Sequence, residues 1–496
     1  MKKILSLILA AAVLSLSSCN GYLDINQNPN SPSKDNMSSS MVFPAVEMNL
    51  ATSYGDYLRI VGGYFSQQYS QLTGTSNYLD YSNFMMSATR SSGTYTQLYT
   101  RVLGNLQFVR EDATAKEEWG TYLAATVLKA FTLQVLVDCY EQTPYSEAFD
   151  PSIPAPKYDE GADVYKGVLA ELDEALSKVG GSESVCTNFL FPGEKADVWV
   201  KFANALKLKL MMRMGASGAD LDALVAAGNF PAEDVAWTGC WSDEASKANP
   251  FYSEEFGSYF SPQKNLCLNL ALQGTMADYD DPRLAAFFDA NASGAYTGAI
   301  SGTNFTVSAN SGHGATNWCR PAIRYNSPVY LITVAEVEFF LSEYYAKKSS
   351  MANAKAHYEA AIEASFASAG VPGAGSVYGT GAKYAWSDAA YQKNIGIQKW
   401  VALSGVNNFE AWCELRRLGY PEYGTQKGST FYNVQTGAYD VSTYVPGTLY
   451  EPITVNTSLK ARQVLQRFPY AESSTGRNSN APEYKGDNAP MFWAKQ

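Results

Sequence analysis

Apolar side chains return at three- and four-residue intervals through much of the chain, the spacing that gathers them on one face of an α-helix. The clearest stripe is 160–179, where Val164, Val168, Leu169, Leu172, Leu176 and Val179 line up opposite acids and lysines. Asp159 stands before it as the expected N-cap, and Gly180 and Gly181 follow as a stop. Met351, Ala354, Tyr358, Ala361, Ile362 and Phe366 make a second stripe through 351–368, behind a helical stretch at 330–346 and a break at Lys347–Ser350. Two helices joined by a short turn, with small alanine contacts, resemble a tetratricopeptide hairpin. Segment 117–138 pairs with 160–179 in the same way, and 195–214 adds a further long helix. The predicted class is mostly α, built from divergent helical hairpins.

The pattern fails in three places. Residues 1–18 open with Met1-Lys2-Lys3 and continue as an apolar run of about a dozen residues, the layout of a secretory signal peptide and too short to span a bilayer. Its end, Leu16-Ser17-Ser18-Cys19, resembles a bacterial lipobox, so Cys19 is the expected site of lipidation and the first mature residue. Residues 19–41, polar and rich in Asn, Ser and Pro, are expected to form a flexible tether, leaving 42–496 as a single folded domain. Within it, 215–325 is rich in Gly, Asn, Ser, Pro and aromatic residues, with 294–321 as its longest excursion. Loops of that length in a domain are usually functional. Shorter loop-rich stretches occur at 70–95 and 420–450.

Charge narrows the partners. The chain carries 37 Lys+Arg against 48 Asp+Glu, and loss of Lys2 and Lys3 with the leader makes it more acidic still. Nothing here tracks a phosphate backbone or an anionic lipid surface. Cys139, Cys186, Cys240, Cys267, Cys319 and Cys413 show no metal-type spacing, and their pairing is open; Cys139 and Cys413 lie in helical segments and read as buried thiols. The apolar stretch 122–137 is short for a membrane span and interrupted by Lys129 and Gln134. His313 and His357 are the only histidines, and no metalloprotease, EF-hand or nucleophile-elbow motif is present. No metal, cofactor or catalytic group is therefore expected. A glycosidase needs only two carboxylates at a suitable separation. Neighbours such as Glu254/Glu255 or Asp280/Asp281 are poor pairs, because adjacent side chains point apart.

The segment "IGIQKWVALSGVNNFEAWCELRRLGYP" (395–421) resembles the signature of the SusD/RagB outer-membrane lipoproteins of Bacteroidetes, in the branch called SusD-like family 2. "NGYLDINQNPNSPS" after the lipobox agrees with it, as do "DCYEQTPYSEAF" (138–149), "PKYDEGADVY" (156–165), "WVKFANALKLKLMMRM" (199–214), "DYDDPRLAAFF" (278–288) and the closing 466–496. The resemblance implies a tetratricopeptide-like SusD scaffold with long loop excursions. It also implies a lipid-anchored protein on the outer-membrane surface that captures glycans for a SusC-like TonB-dependent transporter. Some members capture peptides instead. Surface exposure rests on the family alone, since only Asp24 is acidic just after Cys19. These motifs read as scaffold: Trp412 and Arg416 are i,i+4 neighbours placed to stack, and Gly419 and Pro421 stop the helix.

Sugar rings stack their C–H faces on aromatic rings and spend their hydroxyls on planar polar groups, so loop aromatics beside amides or guanidiniums are the candidate ligand contacts. Three clusters qualify: Asn77, Tyr78 and Tyr81; Trp237 and Trp241; and Tyr296, Trp318 and Arg320. His313, as Gly-His-Gly in the long excursion, is a further candidate.

Overall fold

In the computed structural model, residues 37–495 are described, apart from 73, 258–264, 303–314 and 434. The leader, Cys19, most of the tether and His313 lie outside the described residues. The chain enters the fold slightly earlier than the composition suggests, because Ser39–Met41 already form the first turn of helix α1 (Ser39–Thr52).

A π-helical turn, Ser53–Leu58, links α1 to α2 (Arg59–Phe65). The longer helices that follow are α3 (Gly104–Ala115), α4 (Trp119–Tyr140), α5 (Gly161–Ser177) and α6 (Ala196–Arg213). After a short α7 (Pro250–Glu255) come α8 (Val334–Lys347), α9 (Met351–Ser368), α10 (Tyr391–Leu403) and α11 (Asn408–Leu418). By length and composition α4 is apolar enough to cross a membrane, yet it is buried nearly all round and packs against α3, α5 and α6. The α4–α5 and α8–α9 pairs are the predicted hairpins. In α9, Ala354, Tyr358, Ala361, Ile362 and Phe366 are all buried, as the periodicity requires.

Two end signals differ from expectation. Asp159 does not cap α5; its carboxylate accepts the backbone N–H groups of Tyr145 (3.1 Å) and Ser146 (2.7 Å) and the Ser146 hydroxyl (2.8 Å). The helix instead begins behind Glu160. The stretch 330–346 starts as a strand, and Thr333 caps α8 by accepting the Glu336 N–H at 3.1 Å.

The strands form short ladders that pin loops to the helices. β1 (Tyr69–Gln71) runs antiparallel to β5 (Leu266–Leu268), and β4 (Val235–Trp237) to β8 (Val329–Ile332). β2 (Thr143–Pro144) pairs with β3 (Tyr158–Asp159), and β6 (Phe288–Asp289) with β7 (Arg320–Pro321). β9 (Glu422–Lys427) and β10 (Thr448–Glu451) are parallel. Gly55, in the π turn, allows one such close contact: a Cβ there would sit 2.5 Å from Val329 Cγ1 of β8.

Where α4, α6, α8, α10 and α11 meet, acidic and basic side chains are buried in mutual contact. Arg213 pairs with Asp138 (2.5 Å), Glu410 (2.5 Å) and Glu414 (2.9 Å); Lys209 pairs with Glu336 (2.8 Å) and Glu410 (3.2 Å). Lys399 reaches Glu414 at 2.9 Å, and Arg417 bridges Glu343 and Glu414. The surrounding cations hold Glu410 and Glu343 at about 2, against the burial that opposes them, and keep Glu414 well below the usual range. Arg416 lies over the Trp412 ring at 3.4 Å, the stacking expected from their spacing. All six described cysteines are free thiols, and Cys139 and Cys413 are buried.

Candidate functional site

The site is organised by α7. Asn249 caps it, accepting the Tyr252 N–H at 3.0 Å, with Pro250 in the first turn; the Asn249 amide also donates to Ser327 C=O at 2.8 Å. At the other end two adjacent carboxylates diverge. Glu255 turns inward and accepts the N–H groups of Asn265 (2.7 Å) and Leu266 (3.1 Å), with Arg320 Nη2 at 3.3 Å. Glu254 turns outward and accepts the Tyr78 hydroxyl at 2.8 Å. The adjacent pair therefore points apart, as the sequence predicts.

Glu254 lines a cleft of about 660 Å³ together with Asp56, Met48, Phe189 and Trp241. Phe189 is 38% exposed. Trp241 is half-buried, its indole N–H fixed on the Trp237 carbonyl at 3.2 Å. Asp56 sits in the π turn, where the extra residue re-aims the helix face. Burial, then the charges of Glu254 and Glu255, push its carboxyl well above the usual carboxylate range. The same causes raise the Tyr78 phenol. The cleft wall at Phe189 is held by Glu47, whose buried carboxylate accepts the N–H groups of Phe189 (2.6 Å) and Leu190 (3.0 Å). Burial lifts Glu47 to about 7.

The three predicted clusters come together only in part. Tyr78 meets the cleft through Glu254, and Arg320 stands behind it, over the Phe256 ring at 4.5 Å. Burial lowers the Arg320 guanidinium, against the opposing charge of Glu255. Tyr81 supports Tyr78, ring stacked on ring at 5.5 Å, but is itself buried among Tyr57, Tyr64 and Phe65. Asn77 is exposed beside them and its carbonyl accepts from Arg90 at 3.3 Å. Tyr296 is half-buried on the segment that pairs with Cys319 through Thr297, away from the lining of the cleft.

Two tryptophans must be reassigned. Trp237 is fully buried in β4, its indole N–H directed at Glu47 at 3.4 Å, and Trp318 is buried with its ring edge-on to Tyr439 at 5.6 Å. Their faces, like that of Tyr81, are covered by the protein, whereas Trp241 is half-buried and lines the cleft. Asp56, Met48 and Phe189 were not foreseen. Asp56 in particular lies in a stretch that reads as ordinary helix, and nothing in its local sequence marks it.

A helical scaffold with a loop-built aromatic and acidic cleft defines a ligand-binding architecture. Residues 29–436 match the model of SusD-like family 2, described as starch-binding and associating with the outer membrane, and the chain belongs to that family. Solved structures with the same fold include a SusD homologue from Bacteroides uniformis (21% identity, TM-score 0.69), covering 92% of this chain and 99% of that one. A chitin-binding SusD homologue from Flavobacterium johnsoniae matches at 19% identity and TM-score 0.70, covering 90% and 98%. A SusD homologue from Bacteroides thetaiotaomicron matches at 19% and 0.70, covering 93% and 100%. No curated protein matches the chain.

Proposed function

We propose that this protein is a non-catalytic glycan-capture subunit, anchored through lipidated Cys19 at the cell surface. It holds an oligosaccharide in the α7 cleft and passes it to a SusC-like TonB-dependent transporter. The single observation that carries the reading is the cleft itself, where the partly open Trp241 ring stands beside the carboxylates of Asp56 and Glu254 and next to Tyr78. A ring face for C–H stacking beside acceptors for hydroxyl groups is the chemistry a neutral sugar needs. The family description and the chitin-binding neighbour support a glycan as the ligand.

One feature favours a second reading. Among the described residues the cation lining the cleft is Lys247, already paired with Glu244 at 2.6 Å, which leaves the Glu254 carboxylate without a cation of its own. A basic peptide would profit from it. The test is binding of the chain from Asn20 to Gln496 to panels of polysaccharides and of peptides, with released products assayed in the same samples. Retention of one glycan class without shorter products is the expected result. Retention of peptides alone would move the assignment to peptide capture, and release of shorter sugars would overturn the non-catalytic reading.

A further inference from the structure

A second cavity, of about 410 Å³, opens where α11 ends and shares no lining residue with the α7 cleft. Helix α11 stops at Gly419, which takes a left-handed conformation (φ 73°), and the chain then turns into β9. Segments from 460–466 and 488–495 close the other sides. The titratable groups lining the cavity are Arg416, Lys460, Arg462 and Lys495, one carboxylate, Glu422, and the phenol of Tyr423. In a chain of formal charge −11, four cations around one carboxylate is a local reversal of sign.

Among the described residues, none of these cations is paired with a carboxylate. Arg416 forms the floor, held between the rings of Trp412 (3.4 Å) and Trp493 (4.9 Å). Its guanidinium donates to the carbonyls of Asp138 (3.0 Å) and Gln466 (2.6 Å), and among the described residues no carboxylate pairs with it. Arg462 donates one N–H to Thr425 C=O at 3.3 Å, and Lys495 places its ammonium 5.1 Å from the Tyr420 ring centroid. Lys460 is exposed, its backbone N–H fixed on Asn488 at 2.8 Å. Among the described residues, none of these three has an acidic group within 4.0 Å, whereas exposed Lys116, Lys166, Lys247 and Lys348 each do. The carboxyl end of α11 contributes about half a negative charge. Two of its last carbonyls are already taken, Leu415 by the Gly419 N–H and Arg416 by the Lys495 N–H. The cations outweigh that end charge.

We propose that this cavity is a second ligand site, for an oxyanion: the carboxylate or sulfate of a small acidic molecule. Arg462 supplies a planar fork that suits two oxygens of one anion, the lysines supply point charges, and Arg416 supplies a fixed field beneath. The volume is within the range of small-molecule pockets, roughly 300–1,000 Å³.

The test titrates the chain from Asn20 to Gln496 with sodium sulfate, with glucuronate and with neutral glucose, by calorimetry at low and at high salt. At least one of the two anions should bind, more weakly as salt rises, and glucose should not bind at this cavity. Whichever anion binds assigns the group. The double variant Lys460→Gln with Arg462→Gln should weaken that binding by roughly tenfold or more, the value of a lost charge-assisted contact. Both side chains are exposed, so the melting temperature should hold; if it falls, Lys495→Gln replaces the double variant. Trp241→Ala should leave anion binding unchanged, which separates this site from the glycan cleft. Failure of both anions to bind, or undiminished binding in these variants, would overturn the proposal whatever the polysaccharide panel shows.

Discussion

At the junction of α4, α6, α8, α10 and α11, Asp138, Glu336, Glu343, Glu410 and Glu414 each face a lysine or arginine within 3.2 Å. In the cleft under α7, Asp56 and Glu254 share the space with a lysine that is already committed to Glu244. Both regions carry carboxylates in sites of reduced water contact, and they answer the cost of desolvation differently. In the junction, cations within the fold hold Glu343, Glu410 and Glu414 ionised, while burial outweighs the facing cations at Asp138 and Glu336 and raises both. In the cleft Asp56 is pushed toward its neutral form, and its Oδ1 is buried without a hydrogen-bond partner among the described residues. A network whose acids each face an internal cation fixes helices against one another; an acid in the wall of an open cleft, with no cation paired to it among the described residues, is available to something from outside.

The largest effects should come from breaking the junction. Glu410→Ala removes the common partner of Arg213, Lys209 and the Tyr54 hydroxyl and leaves two buried cations under-compensated. The expected cost is about 3–5 kcal/mol, read from urea denaturation. A cost below about 1 kcal/mol, the range of exposed pairs, would show that the junction is no different from surface charge and would remove one side of the comparison. Trp237→Ala belongs with it: a fully buried indole lost from β4 should cost about 3–5 kcal/mol.

The junction and the scaffold were far more legible in the sequence than the cleft. Helix α9 was found at its true bounds because its stripe is local and repeats every turn. The 395–421 segment identified the family through residues such as Lys399, Glu410, Trp412 and Arg417, which are buried fold-makers. The cleft depends on contacts that no local pattern carries, such as Tyr78 with Glu254 and Arg320 with Glu255, separated by 176 and 65 residues. Loop composition supplied the right residue types but not which ring faces solvent. Trp237 and Trp241 lie four positions apart, yet β-pairing buries the first and leaves the second on the cleft. The Asp159 misassignment has the same origin, because a β-ladder to Thr143 brought two distant N–H groups to its carboxylate.

The next effect concerns Glu47, whose carboxylate ties the Phe189 wall of the cleft to α1. Its folded value of about 7 lies above the unfolded 4.5, so between them the native state binds more protons. The contribution is fully present below about pH 4.5 and is lost as pH rises through 7. It amounts to on the order of 3 kcal/mol. Because the junction acids also titrate, the informative quantity is the difference between wild type and Glu47→Gln in denaturation series from pH 5 to pH 8. Wild type should lose stability relative to the variant as pH rises. A difference that stays flat would mean that Glu47 is not strained by burial and that the cleft wall is as settled as the junction.

The smallest effect on stability should accompany the largest specific effect on binding. Trp241 is half-buried and lies outside the paired residues of β4, so Trp241→Ala should cost about 1 kcal/mol or less in folding, well short of a core tryptophan. If the ring carries one face of a bound sugar, the same change should weaken retention of the preferred glycan by about tenfold or more, a loss of about 1.4 kcal/mol. Trp237→Ala and Trp241→Ala, measured side by side for urea midpoint and glycan affinity, form the sharpest version of the comparison. The first should move the midpoint, and it should affect binding only as far as the folded fraction falls. The second should move affinity while the midpoint stays nearly in place. If both variants lose stability in parallel and retain the glycan when folded, the indole of Trp241 is packing too, and the capture surface must lie on the other exposed ring of the cleft, Phe189.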